Sequence, residues 1–170
     1  MNRILIGLLA LGTASAAYAD SGIAVIKGTA DGSAVGGIVT FQDTKGGLKV
    51  TAKLAGLPPG NHGFHIHEFG SCDDSGKAAG GHYNPKGSKH GFLPKDGMRK
   101  AHGGDMGNIM AAADGTATLD IVLPYIKLSG DKYSVAGRAV IIHEKADDFS
   151  QPVGNAGSRI GCGAIVVTGK

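Results

Sequence analysis

Hydrophobic and polar residues alternate with a period of two along two stretches of the chain, residues 48–54 and 117–123. In each stretch every second residue is apolar, and most residues between them are Lys, Thr or Asp. Such alternation predicts a β-strand with one buried face. Weaker strand patterns cover residues 23–28, 35–41, 63–67, 138–143 and 164–167.

Turn-forming sequences separate these stretches, among them Asp31-Gly32 and Asp114-Gly115. No segment beyond the first nineteen residues shows the 3.6-residue period of an amphipathic helix. Short strands at this spacing predict an all-β fold, an antiparallel Greek-key β-sandwich or flattened barrel of the immunoglobulin-like kind. We find neither an internal repeat nor a linker, which indicates one domain over residues 20–170.

Residues 68–113 and 144–161 show neither a strand nor a helix pattern. Stretches of this length inside a compact domain usually serve a function or are organised by another group. Cys72 lies in the first stretch and Cys162 directly follows the second. We therefore expect two long functional loops.

Composition supports tightly shaped loops. Glycine supplies 30 of the 170 residues, against a usual share of ~7%. The glycines follow no Gly-X-Y period, which excludes collagen, and a hydrophobic share of 42% is enough for a core. The formal net charge is +3 without a polybasic run, which gives no indication of a nucleic-acid partner.

Residues 1–19 have the form of a signal peptide. Arg3 precedes an apolar run at residues 4–12, and Ala17-Tyr18-Ala19 has the small-x-small pattern of a cleavage site. A membrane anchor is the alternative, but the run is shorter than the ~20 residues of a spanning helix. We expect export after cleavage at Ala19, to the periplasm in preference to the cell exterior, with no membrane contact afterwards. Export also favours a disulfide between the two cysteines.

The histidines carry the clearest chemical signal. His65 and His67 are two residues apart in a predicted strand and project from one face, while Phe64 and Ile66 point to the other. Further candidate ligands follow in the glycine-rich stretch: His82, His90, His102 and Asp105. Imidazole and carboxylate suit zinc, and imidazole also suits copper. A solvated loop histidine is the alternative for any one of them alone, but the clustering of the whole set favours metal binding.

The segments that contain these residues form five longer motifs. They are His62-Gly-Phe-His-Ile-His-Glu-Phe-Gly70, Gly81-His-Tyr-Asn-Pro85, His102-Gly-Gly-Asp105, His143-Glu-Lys-Ala-Asp-Asp148 and Gly154-Asn-Ala-Gly-Ser-Arg-Ile-Gly-Cys-Gly163. In their order, and over essentially the whole chain after residue 19, they resemble copper/zinc superoxide dismutase. The resemblance implies an antioxidant enzyme that converts its substrate superoxide to dioxygen and hydrogen peroxide, with one copper and one zinc per subunit.

The resemblance also implies which residues bind each metal. The copper ligands would be His65, His67, His82 and His143. The zinc ligands would be His82, His90, His102 and Asp105. His82 would thus bridge the two ions as an imidazolate, leave copper when copper is reduced from Cu(II) to Cu(I), and then take up a proton. His62 has no metal role in this scheme, and we assign it a structural one.

Residues around the metals receive roles by the same resemblance. Arg159 would guide the superoxide anion to copper, Asp147 would join a copper ligand to a zinc ligand, and Cys72 and Cys162 would form the family disulfide. The stretch of residues 149–153 is short and contains no Lys or Glu. In both respects it differs from the corresponding stretch of many family members. Lysines elsewhere are candidates to steer the anion instead, although each also fits an ordinary solvated lysine: Lys86, Lys89, Lys95 and Lys145.

Two other functional classes remain open at this point. A non-catalytic exported carrier of copper and zinc would keep the histidines but would not need Arg159 or a bridging histidine. A structural or adhesive sandwich with incidental histidines would fold without metal. The oligomeric state is also open, because homodimers and monomers both occur in the family that the chain resembles.

Overall fold

The computed structural model describes residues 19–169, which form eight antiparallel strands that close into a barrel. The strands are β1 (Ser21–Gly28), β2 (Gly36–Thr44), β3 (Gly47–Ala55), β4 (Gly60–His67), β5 (Asp105–Ala111), β6 (Ala117–Leu123), β7 (Ala139–His143) and β8 (Arg159–Gly169). Their order around the barrel is β1-β2-β3-β6-β5-β4-β7-β8, so β7 lies beside β4 and not beside β6. The predicted all-β antiparallel class is confirmed. The predicted signal peptide lies outside the described residues except for Ala19.

The two most regular sequence patterns form neighbouring strands. β3 and β6 pair with Leu48 opposite Leu123, and both side chains are fully buried. On the outer face, Lys49 and Asp120 form an exposed ion pair at 3.1 Å. The alternation therefore arises from a barrel wall with one apolar and one solvated side.

The sequence pattern missed β5, which lies inside the stretch predicted to contain no strand. Its first three residues, Asp105, Met106 and Gly107, are all buried, so the strand does not begin with an alternation of buried apolar and solvated polar residues. The same stretch contains a 3₁₀ turn at Lys77–Ala79 and a four-residue helix, α1, at Leu93–Asp96. No helix of residues 19–169 is long and apolar enough to cross a membrane.

Two long loops remain, and both are shorter than predicted. Loop A comprises residues 68–104, between β4 and β5, and loop B comprises residues 144–158, between β7 and β8. The disulfide between Cys72 and Cys162 is present, with the Cα atoms 5.7 Å apart. It joins loop A to β8 and confirms the predicted pairing. In the chain-entropy model a bridge across 90 residues stabilises the fold by about 4 to 5 kcal/mol.

Loop A covers the outer face of β4. The Ile66 N–H donates to the Gly104 carbonyl at 2.9 Å, and the Tyr83 N–H donates to the Ile66 carbonyl at 2.8 Å. A Cβ atom at residue 104 would overlap the Ile66 carbonyl, so this approach requires glycine. Because the loop lies so close, His65 and His67 are buried although they point away from the barrel core.

Candidate metal centre

Seven buried side chains with metal-binding atoms converge where loop A meets strands β4, β5 and β7. Each of them is at most 7% exposed. They are His65 and His67 of β4, His143 at the end of β7, Asp105 at the start of β5, and His82, His90 and His102 of loop A. The fold thus brings together all the metal ligands that the sequence predicted.

Four imidazoles form the first potential site, because one ring nitrogen of each lies within 4.8 Å of the others. We call them the four-histidine group: His65, His67, His82 and His143. Nδ1 of His67 lies 3.0 Å from the Gly80 carbonyl, and Nδ1 of His143 lies 3.3 Å from the Gly157 carbonyl. Carbonyl oxygens only accept, so each Nδ1 carries the hydrogen. The two Nε2 atoms then face each other with lone pairs at 3.3 Å, an arrangement that a cation between them would stabilise.

His65 presents the opposite nitrogen to this group. Its Nε2 donates to the Asp147 carboxylate at 2.9 Å, whereas its Nδ1 is buried without a hydrogen-bond partner among residues 19–169. Buried polar atoms are seldom left unpartnered in proteins. A neutral imidazole nitrogen with a free lone pair is a metal ligand, so the donor set fits a metal ion.

Three imidazoles and one carboxylate form the second potential site. We call it the Asp105 group: His82, His90, His102 and Asp105. One carboxylate oxygen, Oδ1, lies 2.9 Å from Nδ1 of His82 and 3.1 Å from Nδ1 of His102. The other, Oδ2, accepts the backbone N–H groups of Gly91 and His102 at 2.9 and 2.8 Å. Backbone hydrogen bonds thus hold the carboxylate against the three rings.

His90 has an unsatisfied nitrogen inside the Asp105 group. Its Nδ1 lies 3.0 Å from Oδ2 of Asp105 but is not in hydrogen-bonding geometry with any group of the described chain. Ligand atoms that crowd together without hydrogen bonding are typical of a coordination sphere. Three nitrogens and one oxygen match the four-coordinate sites that zinc prefers.

Asp147 of loop B connects the two groups. Its Oδ2 accepts from Nε2 of His65 at 2.9 Å, and its Oδ1 accepts from Nε2 of His90 at 2.9 Å. The Asn108 side chain holds the backbone of Asp147 from both sides, accepting its N–H at 2.7 Å and donating to its carbonyl at 2.9 Å. A carboxylate that receives a hydrogen bond from a ligand imidazole fixes the orientation and basicity of the ring. Glycine is required beside it, because a Cβ atom at Gly154 would overlap Asp147 Oδ1.

Burial keeps the four-histidine group unprotonated. It lowers the pKa of His82 to about 4 and that of His143 to about 3. It also lowers the pKa of His65 and, more strongly, that of His67. All four rings are therefore neutral at pH 7, so each can offer one nitrogen lone pair to a metal ion without competition from an imidazolium proton.

The carboxylates of the centre stay ionised. Burial alone would raise the pKa of Asp105 and Asp147, but hydrogen bonds from the surrounding imidazoles lower both far below the usual range. Burial lowers the pKa of His90, but the same two carboxylates raise it by more, to about 9. The metal-free Asp105 group therefore holds a proton that a bound cation would replace.

Arg159 lies beside the four-histidine group. It is paired with His143 in the register of β7 and β8, and its charge contributes to the lowered pKa of His67 and His143. Its guanidinium donates to the carbonyls of Gly76 and Gly80 at 2.5 and 2.6 Å. These two bonds leave further N–H groups of the guanidinium free for an anion.

His62 lies outside both groups, in keeping with the structural role that the sequence suggested. Its Nδ1 lies 2.8 Å from the His143 carbonyl and its Nε2 lies 2.7 Å from the Pro58 carbonyl. Sequence reasoning missed Asn108 and Gln151, whose amides contact the backbone near the ligands. A single uncharged amide carries no sequence signal for such a role. The four candidate steering lysines are all exposed, at positions 86, 89, 95 and 145.

Comparison with known proteins gives one consistent family. The family model for copper/zinc superoxide dismutase (SODC) matches residues 35–165. The chain is 43% identical over 150 residues to superoxide dismutase (Cu-Zn) 3 of Arabidopsis thaliana, covering 84% of this chain and 88% of that relative. It is 38% identical over 148 residues to the extracellular superoxide dismutase (Cu-Zn) of Brugia pahangi, covering 81% and 72%. The crystal structure of the clock protein EA4 is also similar, with a TM-score of 0.77, 34% identity, and coverage of 97% of this chain and 100% of that one.

Proposed function

Because the chain belongs to the copper/zinc superoxide dismutase family, we propose that its two potential metal sites divide the two metals of that family between them. The protein is a superoxide dismutase with copper and zinc as cofactors. In our assignment the four-histidine group holds copper and the Asp105 group holds zinc. The observation that carries it is that two buried donor sets of different composition share one imidazole, that of His82.

The composition of each set supports this division. Four neutral imidazoles suit copper, whereas three imidazoles and a carboxylate suit zinc, which has no redox change of its own. When bound, copper supplies the one-electron chemistry: Cu(II) oxidises one superoxide to dioxygen, and Cu(I) reduces a second, with two protons, to hydrogen peroxide. The negative charge of Asp105 favours zinc, which would stay a dication during the whole reaction.

His82 is placed to hold and release one of these protons. Its Nδ1 lies within the Asp105 group, which leaves Nε2 for the four-histidine group. If both nitrogens were metal ligands, the ring would carry no proton and would be an imidazolate. An Nε2 free of metal could instead hold a proton. Burial disfavours a second proton on the ring and lowers its pKa to about 4, so His82 would hold no more than this one proton at pH 7.

Arg159 is our candidate for the residue that receives superoxide. Its guanidinium is permanently charged and presents several donors in one plane, which suits a small anion. Its contacts with the Gly76 and Gly80 carbonyls fix its position next to His67 and His143. We assign it a role in capture and orientation, while the ligands hold the metals.

We also propose that the protein is exported and that residues 1–19 are its signal peptide. The apolar run and cleavage pattern support this, as does the name of the extracellular relative from Brugia pahangi. The disulfide between Cys72 and Cys162 fits an oxidising compartment. We favour the periplasm, and sequencing of the N-terminus of secreted protein tests the cleavage: an intact Met1 would contradict it.

Metal analysis paired with a superoxide-consumption assay tests the proposed function. Protein purified from copper- and zinc-supplemented growth should contain about one equivalent of each metal and consume superoxide. His143→Ala should lose copper and activity but keep zinc. His102→Ala should lose zinc in preference to copper. Both metals without activity would instead indicate a metal carrier. This alternative stays open because one similar structure is named as a clock protein and not as an enzyme. Absence of metal from the purified protein would overturn both functions.

A further inference from the structure

The side-chain amide of Gln151 is paired with the backbone of His90. Its Oε1 accepts the His90 N–H at 3.0 Å, and its Nε2 donates to the His90 carbonyl at 2.9 Å. One amide thus satisfies both backbone groups of one residue, as a neighbouring strand would. Within residues 19–169 the backbone N–H and carbonyl of His90 have no other hydrogen-bond partner.

This dependence separates His90 from the other predicted ligands. His65, His67 and His143 belong to strands, and Asp105 begins one. In loop A, His82 forms a β-bridge with His67, and the His102 N–H donates to the Asp105 carboxylate. His90 alone among them takes its backbone hydrogen bonds from a side chain of loop B.

Loop B holds His90 at two further points. The Asp147 carboxylate accepts from its Nε2, and the Phe149 ring stacks on its imidazole with ring centroids 6.2 Å apart and planes at 18°. Residues 147–151 therefore contact the ring nitrogen, the ring face and the backbone of this one histidine. The short loop B, without Lys or Glu at residues 149–153, is built around a predicted zinc ligand.

We propose that Gln151 is a positioning residue for the zinc site. It fixes the backbone of His90 so that Nδ1 stays directed at the Asp105 group. It acts through His90 and touches no metal itself. Because Gln151 is exposed, its replacement leaves no core cavity, and its effect comes from the two hydrogen bonds. This inference rests on the proposed assignment of zinc to the Asp105 group.

The rate at which the metal-loaded protein loses zinc to a chromogenic chelator tests the proposal. Gln151→Met keeps the length of the side chain but removes both hydrogen bonds, and we expect release about tenfold faster, at the lower end of the range for outer-shell partners of metal ligands. Ser150→Ala is the matched control, because its hydroxyl contacts Asn155 in the same loop and does not touch His90. It should release zinc like the wild type.

A spectroscopic measurement separates positioning from general loosening of the loop. With cobalt(II) in place of zinc, the visible absorption reports ligand geometry, and it should change in Gln151→Met but not in Ser150→Ala. Unchanged release and spectrum in Gln151→Met, or equal changes in both variants, would overturn the proposal. His90→Ala tests the underlying assignment separately: if it retains zinc, the zinc site itself is wrong; if it loses zinc while Gln151→Met behaves like the wild type, only the positioning role fails.

Discussion

At the scale of single residues, hydrogen bonds from outside the centre decide which nitrogen of each ring is free. Carbonyls of Gly80 and Gly157 fix the hydrogen of His67 and His143 on Nδ1, whereas Asp147 fixes that of His65 on Nε2. The spacing of His65 and His67 predicts that both rings leave the same face of a strand. It does not predict their different ligand atoms, because the acceptors come from loops distant in sequence.

Arg159→Ala tests the proposed capture of superoxide. We expect the second-order rate constant at low ionic strength to fall by about tenfold, because an oriented cation near the site raises the association rate of an anion. Copper and zinc contents should not change, and the remaining rate should depend less on salt. Arg99→Ala is the control, since Arg99 lines a surface cleft with Tyr125 and Tyr133 instead. Loss of metal from Arg159→Ala would show a structural role and contradict this assignment.

The lowered imidazole pKa values predict that the metal-free protein loses stability on acidification. In the unfolded chain a histidine titrates near 6.5, but in the folded protein His82 and His143 titrate at about 4 and 3. Between these values the unfolded state binds protons that the folded state does not, so the free energy of unfolding falls as the pH falls. His90, with its raised pKa, is protonated in the folded state across this range. It adds an opposing slope only near pH 6.5, where the unfolded histidine is still partly neutral.

Urea unfolding of the metal-free protein between pH 6.5 and 4 measures this effect. The midpoint should decrease steadily across the interval, and His143→Asn should make the decrease shallower because one buried imidazole no longer titrates. A midpoint that is independent of pH would contradict the burial of neutral rings.

At the scale of elements, strands and loops are predictable from the sequence for different reasons. β3 and β6 have one apolar and one solvated face, and their alternation predicts them correctly. β5 lacks alternation because its start is covered on both sides. The ligands of loop A were predictable because histidine in a glycine-rich stretch is chemically distinctive. Asn108 and Gln151 were not, since their importance depends on the backbone atoms that the fold places beside them.

Asp147→Asn tests how loop B is tied to the strands and to loop A. The variant keeps its size but has only one oxygen for two donor imidazoles, and its amide N–H₂ would face a nitrogen that also carries hydrogen. We expect zinc affinity to fall by about 10- to 100-fold, measured by competition with a chelator. Asp148→Asn provides the matched control, because the neighbouring carboxylate contacts only Ser150 and Asn155 within the described chain. Equal effects of the two substitutions would argue against the specific link.

At the scale of the whole molecule, a regular barrel supports loops that have little core of their own. Ten of the 30 glycines lie between Gly70 and Gly107, in or next to loop A. Glycine permits the close turns of that loop but does not hold them, because it has the most conformational freedom to lose. We therefore expect the disulfide and the two metals to supply order that the loop sequence does not.

Removal of the metals should separate the loops from the barrel. With the disulfide intact, we expect backbone amides of residues 68–104 and 144–158 to exchange hydrogen faster in the metal-free protein than in the loaded one. Amides of β2 and β3, which contribute no ligand, should remain equally protected and serve as the internal reference. Equal protection of the loops in both forms would show that the chain orders them without metal.

The carbonyl of Gly80 accepts hydrogen bonds from both His67 and Arg159. A change in the turn that carries this single oxygen would move the arginine that we assign to substrate capture and also alter the basicity of a predicted copper ligand. Selection acting on the speed of capture would thereby act on the redox behaviour of the metal as well. Two traits that separate residues could have adjusted independently are inherited together, through one backbone atom.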